Sequence, residues 1–142
     1  MFKRVPPHVL HLYAGRERPD GLPHYLARYG WGCTEVDILR QGVDMDLLSD
    51  AAWERWGEKI DDRVVGHVHL GTPCSTWGEA REHPGGPPVL RSTEHPTGLP
   101  GLGPKEREEV RKTIVHLLRA VDACRRIHAV GGGFSWEQPE PK

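Results

Sequence analysis

Cysteine, net charge and long apolar runs are all scarce in this chain, and each scarcity removes a class of protein. The 142 residues include three cysteines, Cys33, Cys74 and Cys124. Their number is odd and their spacing too wide for a disulfide framework or a paired-cysteine zinc motif, so at least one thiol is free. No apolar run approaches the roughly 18 residues that cross a bilayer. The opening Met1-Phe2-Lys3-Arg4-Val5-Pro6-Pro7 has no long apolar stretch or small-residue cleavage site behind its basic pair. The expectation is a cytoplasmic protein with no membrane partner. A formal net charge of -1 withholds the basic field of sequence-independent nucleic-acid binders, although a local basic face fits within a neutral total.

What is present suits one domain over residues 1–142: 37% hydrophobic and 27% charged residues close a single core. Val9-Leu10-His11-Leu12-Tyr13 predicts a buried strand that stops at Ala14-Gly15. Asp20 is the expected cap of a helix with Pro23 in its first turn and Leu22, Leu26 and Tyr29 on one face. Cys33 to Leu39 alternates and is rich in branched residues, which predicts a second strand parallel to the first. Ser49 caps a helix with a stripe of Trp53, Trp56 and Ile60, weakened by Gly57. Val64 to Leu70 predicts a third strand, stopped by Gly71-Thr72-Pro73-Cys74 because proline cannot continue a ladder. Of the 27 residues from Gly78 to Pro104, 12 are Gly or Pro, and so long a loop in a compact domain reads as a lid. Pro104 opens a long helix with Val110, Ile114, Leu117, Leu118, Val121 and Cys124 on one face, acids first and Arg125 and Arg126 last, matching the helix dipole. Gly131-Gly132-Gly133 ends it before a short strand, Phe134-Ser135-Trp136.

That order predicts an α/β fold, a doubly wound, mostly parallel sheet with helices on both faces. Ligands of such sheets bind beyond the carboxyl ends of the strands, where the strand order reverses. Three loops therefore attract attention: Tyr13 to Gly21, Gly71 to Trp77, and Glu137 to Pro139. A glycine turn after the first strand lets a ligand approach the backbone, and an acid at the end of the second, Asp37 with Glu35 as its competitor, can accept hydrogen bonds from ribose hydroxyls. Cys33 and Cys124 read as small buried hydrophobes, whereas Cys74, behind a proline at a strand end, reads as functional. Trp53 and Trp56 read as packing. His67 and His69 share a strand face but lack further ligands at metal-site spacing, so no metal is expected.

Leu10-His11-Leu12-Tyr13-Ala14-Gly15, Glu35-Val36-Asp37, Gly71-Thr72-Pro73-Cys74-Ser75-Thr76-Trp77 and Trp136-Glu137-Gln138-Pro139 stand in the order of the DNA cytosine-C5 methyltransferase motifs. The chain resembles the N-terminal catalytic portion of that family. The resemblance implies a Rossmann-like class I methyltransferase fold, truncated, with S-adenosyl-L-methionine as cofactor and DNA as partner. It implies a cofactor site at Tyr13, Ala14, Gly15, Asp37, Asp46 and Pro73, with Asp46 meeting the adenine amine. It also implies that Cys74 adds to C6 of a flipped-out cytosine while Glu137 acts as acid at the N3 edge. Departures are clear: Arg16-Glu17-Arg18 replaces further glycines, Gln138 replaces an asparagine, and Ser75 replaces a glutamine. No later arginine motif or target-recognition region follows, so a homodimer or second chain completes the fold, the lid substitutes for recognition, or the chain is a non-catalytic module that oligomerises or docks on a partner. The Gly/Pro pieces of the lid resemble a subgroup of methyltransferase-like proteins associated with phages and mobile elements.

Overall fold

A computed structural model describes residues 4–76 and 81–137. Four strands, β1 (His8–Leu12), β2 (Gly32–Val36), β3 (His67–Leu70) and β4 (Gly133–Trp136), form one parallel sheet in the order β2-β1-β3-β4. The helices are α1 (Leu22–Ala27), α2 (Asp50–Asp61) and α3 (Pro104–Ala129). The expected α/β class with a parallel sheet is what the chain adopts.

Side chains alternate across the strands, and the register makes the two sheet faces unequal. Leu10, Leu12, Val36, Val68 and Leu70 share one face and are almost wholly buried. Over them pack Trp53, Trp56 and Ile60 of α2 and Ala120, Ala123, Cys124 and Ile127 of α3. The buried indoles need partners for their N–H groups. Trp53 Nε1 donates to Asp122 Oδ2 at 2.9 Å and Trp56 Nε1 to the Asp44 carbonyl at 2.8 Å. The opposite face carries Val9, His11, Glu35, His67, His69 and Ser135. Its helix is the six-residue α1, whose Leu22 and Leu26 line an open groove with Val9, His67, His69 and Ser135. Helices thus lie on both faces, very unevenly.

Ser49 caps α2 as expected, accepting from the Ala52 amide at 3.3 Å. Asp20 does not cap α1: the cap position is Gly21, without a side-chain bond, and Asp20 pairs with Arg18 at 3.3 Å instead. The second strand ends at Val36, so Ile38 and Leu39 are not strand residues but stand 65% and 61% exposed in the following turn. The third strand is shorter than Val64 to Leu70, starting at His67. On α3, Leu118 is exposed and the buried stripe runs through Val110, Thr113, Ala120, Ala123, Cys124 and Ile127. Within the Gly/Pro-rich segment, Leu90 and Arg91 are buried, and Arg91 reaches the Val110 carbonyl at 3.2 Å and Thr113 Oγ1 on α3.

Candidate functional site

The strand order reverses between β1 and β3, and the backbones that leave their carboxyl ends nearly touch. A Cβ placed on Gly71 would lie 2.9 Å from the Tyr13 carbonyl oxygen, so only glycine permits this approach. Tyr13 takes φ = 61°, uncommon for an aromatic residue, and Gly15 takes φ = 73°. Strain of this kind costs about 1–3 kcal/mol and collects where a fold builds a site. Two cavities open on either side of the resulting turn.

The first, about 280 Å³, is lined by Tyr13, Asp37, Ile38, Leu39, Met45, Asp46, Leu47, Leu48, Pro73 and His116. Four of the expected cofactor residues, Tyr13, Asp37, Asp46 and Pro73, therefore share one wall. Asp37 Oδ2 accepts from the Gly15 amide at 2.8 Å and Oδ1 from the Leu39 amide at 2.9 Å. Each oxygen keeps a further lone pair for a ligand hydroxyl. Asp46 Oδ1 accepts from the Leu48 amide at 2.9 Å, holding its own turn. Arg119 of α3 clasps the Leu47 carbonyl and the Asp50 carboxylate and so fixes that turn against the helix. At the inner end His116 Nδ1 lies 3.1 Å from the Tyr13 hydroxyl, and the rings meet edge to face. Burial raises the Tyr13 phenol and lowers the His116 imidazole, the latter helped by Arg119, so both are neutral at pH 7.

The second cavity, about 330 Å³, is lined on its floor by His11, Glu35, Arg40, His69 and Glu137, with Ala14, Arg16, Arg18, Asp20 and Tyr25 around it. Glu35 is not available for a ribose: its carboxylate is held by His11 Nδ1 at 2.9 Å and Arg40 at 3.0 Å, and it lies on this side of the turn. Arg40 Nε also donates to the Gly15 carbonyl at 2.8 Å. The Gly15 turn is thus gripped from one cavity through its N–H and from the other through its C=O. Glu137 continues the ladder past β4, its amide donating to the Leu70 carbonyl at 2.8 Å, while its Oε1 lies 3.2 Å from His69 Nε2. Burial is the main cause lowering the His11 pKa, partly opposed by its bond to Glu35.

Cys74 is exposed on the loop after β3. Both sides of its loop are pinned: Thr72 Oγ1 accepts from Trp136 Nε1 at 2.8 Å, and buried Thr76 meets Thr113 Oγ1 and Arg91 Nε, both at 2.9 Å. Pro73, Cys74 and Ser75 are held out as an exposed bridge. Cys33 and Cys124 differ, since burial raises both thiols, Cys33 to about 11. Among the described residues no hydrogen bond joins Cys74 to Glu137. They occupy neighbouring strand-end loops, and the Glu137 Oε2 atom lies near Gly71, three residues before the cysteine. Trp77, Gln138 and Pro139, named with these loops, lie outside the described residues.

Sequence reasoning missed His116, His11, Arg40 and the partnership of His69 with Glu137. Each joins residues far apart in the chain, by 103 positions for Tyr13 and His116, and no local pattern announces such a pair. His67 and His69 share a strand face, and their common partner is the Ser135 hydroxyl, at 2.9 and 2.7 Å.

No family model, curated protein or solved structure matches this chain.

Proposed function

We propose that the chain is an S-adenosyl-L-methionine-dependent methyltransferase of Rossmann-like class I type, acting on C5 of cytosine in DNA through Cys74 and Glu137. The observation that carries the reading is the cavity at the strand-order reversal, where Tyr13, Asp37, Asp46 and Pro73 converge from four separate segments. Its donor set fits the adenosine end of the cofactor. Asp37 supplies free lone pairs for ribose hydroxyls, and exposed Ile38 and Leu39 offer an apolar surface to a purine. At Gly15 an added Cβ would meet nothing within 4 Å, leaving the turn open to a ligand. The bound cofactor supplies an electrophilic methyl group.

The remaining chemistry belongs to the protein. As a thiolate, Cys74 adds to C6 of the base and makes C5 nucleophilic, which splits one difficult step into two. A protonated Glu137 at the N3 edge offsets the negative charge that builds on the ring during attack. Loss of the C5 proton and departure of the thiolate complete the exchange. Exposure of Cys74 on a pinned bridge suits a large acceptor, and the base leaves its stack because C6 is inaccessible within it. Arg16 and Arg18, at the second cavity, add positive charge where a DNA backbone would pass.

The test is calorimetry with S-adenosylhomocysteine followed by methyl transfer from labelled cofactor to cytosine-containing DNA. Binding that is lost in Asp37→Ala, with transfer lost in Cys74→Ala, is expected; absence of both binding and transfer in the unmodified chain refutes the reading. A second reading, a non-catalytic module that docks on a partner or on another copy, is favoured by the groove of Val9, Leu22, Leu26, Tyr29 and Trp31 on the thinly covered sheet face. It predicts an oligomer by light scattering and no heat on adding the cofactor product.

A further inference from the structure

Four side chains from β3, β4 and the residue after it form one unbroken hydrogen-bonded row across the sheet. His67 Nε2 lies 2.9 Å from Ser135 Oγ, Ser135 Oγ lies 2.7 Å from His69 Nδ1, and His69 Nε2 lies 3.2 Å from Glu137 Oε1. His67, Ser135 and His69 line the open groove, and His69 also lines the cavity that holds Glu137. The row therefore connects two separate openings on the same face. We propose that His67, Ser135 and His69 are positioning residues that carry protons between the groove and Glu137. The proposal rests on the reading of Glu137 as the acid.

The chemistry follows from the inventory of donors. Ser135 has one hydroxyl proton, so it donates to one histidine and accepts from the other. With Glu137 ionised, His69 donates from Nε2 to the carboxylate, Ser135 donates to His69 Nδ1, and His67 donates from Nε2 to Ser135. When a proton from solvent water joins His67 at Nδ1, its Nε2 proton passes to Ser135. The Ser135 proton passes to His69 Nδ1, and the His69 Nε2 proton passes to Glu137. One proton enters, one arrives, and both histidines end neutral in the opposite tautomer. The row thus has two complementary arrangements, set by whether Glu137 carries its proton, and a neutral imidazole with two distinct nitrogens is suited to this exchange.

Glu137 alone would not need such a route, because its side chain is 73% exposed and meets water directly. An acceptor base seated on its other oxygen would cover that exposure, and the row would then offer a path from the groove side. Most of the charges around the row are paired elsewhere. His11, its ring 4.7 Å from that of His69, is bonded to Glu35, which Arg40 also holds, and Asp20 pairs with Arg18. Arg16 completes the charged surroundings.

Nitrogen-15 spectra of the histidines in the full chain test the row directly. At neutral pH, His67 and His69 are expected as Nε2–H tautomers in the unmodified chain and as Nδ1–H tautomers in Glu137→Gln, whose amide N–H donates to His69 Nε2 where a protonated carboxyl would. With Ser135→Ala added to Glu137→Gln, the change of tautomer is expected to disappear from His67 alone. An Nδ1–H His69 in the unmodified chain, or a His67 tautomer unchanged in Glu137→Gln, overturns the proposal. In turnover, Ser135→Ala is expected to lower kcat by about tenfold while KM for DNA and the affinity for S-adenosylhomocysteine stay unchanged. Unchanged kcat in that variant also overturns it. If the unmodified chain transfers no methyl group, the methyltransferase reading fails, and the tautomer comparison still decides whether the row shifts as one unit.

Discussion

The two faces of one small sheet have been put to opposite uses. On one, Leu10, Leu12, Val36, Val68 and Leu70 disappear beneath α2 and α3. On the other, the neighbouring residues of the same strands are His11, Glu35, His67, His69 and Ser135, bonded to one another and open to two cavities. A strand's two-residue period makes this division possible, since each position belongs wholly to one face or the other. Burial is concentrated on the first face and hydrogen-bonded polar groups on the second. The Gly15 turn, gripped by Asp37 on one side and Arg40 on the other, is where the two meet.

The sharpest way to break the comparison is to truncate each face at adjacent positions. Leu12→Ala, at a fully buried site, is expected to cost about 2–5 kcal/mol in denaturant unfolding. His11→Ala should cost clearly less while altering the cavity that holds Glu137. Equal losses would mean that the histidine face is structural. Next in size is Gly71→Ala, whose new methyl would meet the Tyr13 carbonyl. Overpacking against backbone costs about 1–3 kcal/mol, and cofactor-product affinity by calorimetry should fall with it.

Asp37→Asn should also weaken the fold, because the amide keeps one acceptor but turns a donor toward a backbone N–H, an unpaired contact worth about 1–3 kcal/mol. Affinity for S-adenosylhomocysteine is expected to fall more than stability does.

Acid should act mainly through the half-buried histidines, two on the sheet and one on α3. Burial lowers the pKa of His11, His67 and His116 below the ordinary value of 6.5. In the window between those lowered values and about 6.5, the unfolded chain binds more protons than the folded one. Stability therefore rises with pH through that window and is lost as the pH falls through it. Denaturation midpoints measured between neutral pH and about pH 5 should decline, and His11→Gln should flatten the decline. The smallest effect is on thiol chemistry. Alkylation at mildly alkaline pH should mark Cys74 first, because it is exposed, whereas Cys33 and Cys124 are shielded and raised by burial. Equal labelling of all three would contradict the burial pattern.

Much of the scaffold could be read from local signals. Ser49 at a helix start, Pro104 opening α3 and the branched runs of the strands each carry their own physical reason. Readings failed where two local causes compete. Ile38 and Leu39 prolong an alternating pattern, yet the sheet neighbours stop at Val36, and the pair become the exposed lip of a cavity. Asp20 is a good cap by type, but Arg18 takes its carboxylate and Gly21 takes the cap position. Leu118 lies on the apolar side of α3 by periodicity, yet it is exposed in the folded chain. Of the site, Tyr13, Asp37, Asp46 and Pro73 were legible because strand ends are predictable places. His116, Arg40 and the His69–Glu137 pair were not, because crossover connections bring them together and leave no mark in either local sequence.

The proposal that Cys74 attacks a cytosine held beyond the carboxyl ends of these strands has a direct test. Incubation of the full chain with cofactor and DNA containing 5-fluorocytosine, where loss of a C5 proton is blocked, should leave a covalent protein–DNA adduct. Mass spectrometry is expected to place it on Cys74, with none formed by Cys74→Ala. An adduct on Cys33 or Cys124, or none at all under conditions where the cofactor product binds, would contradict the account.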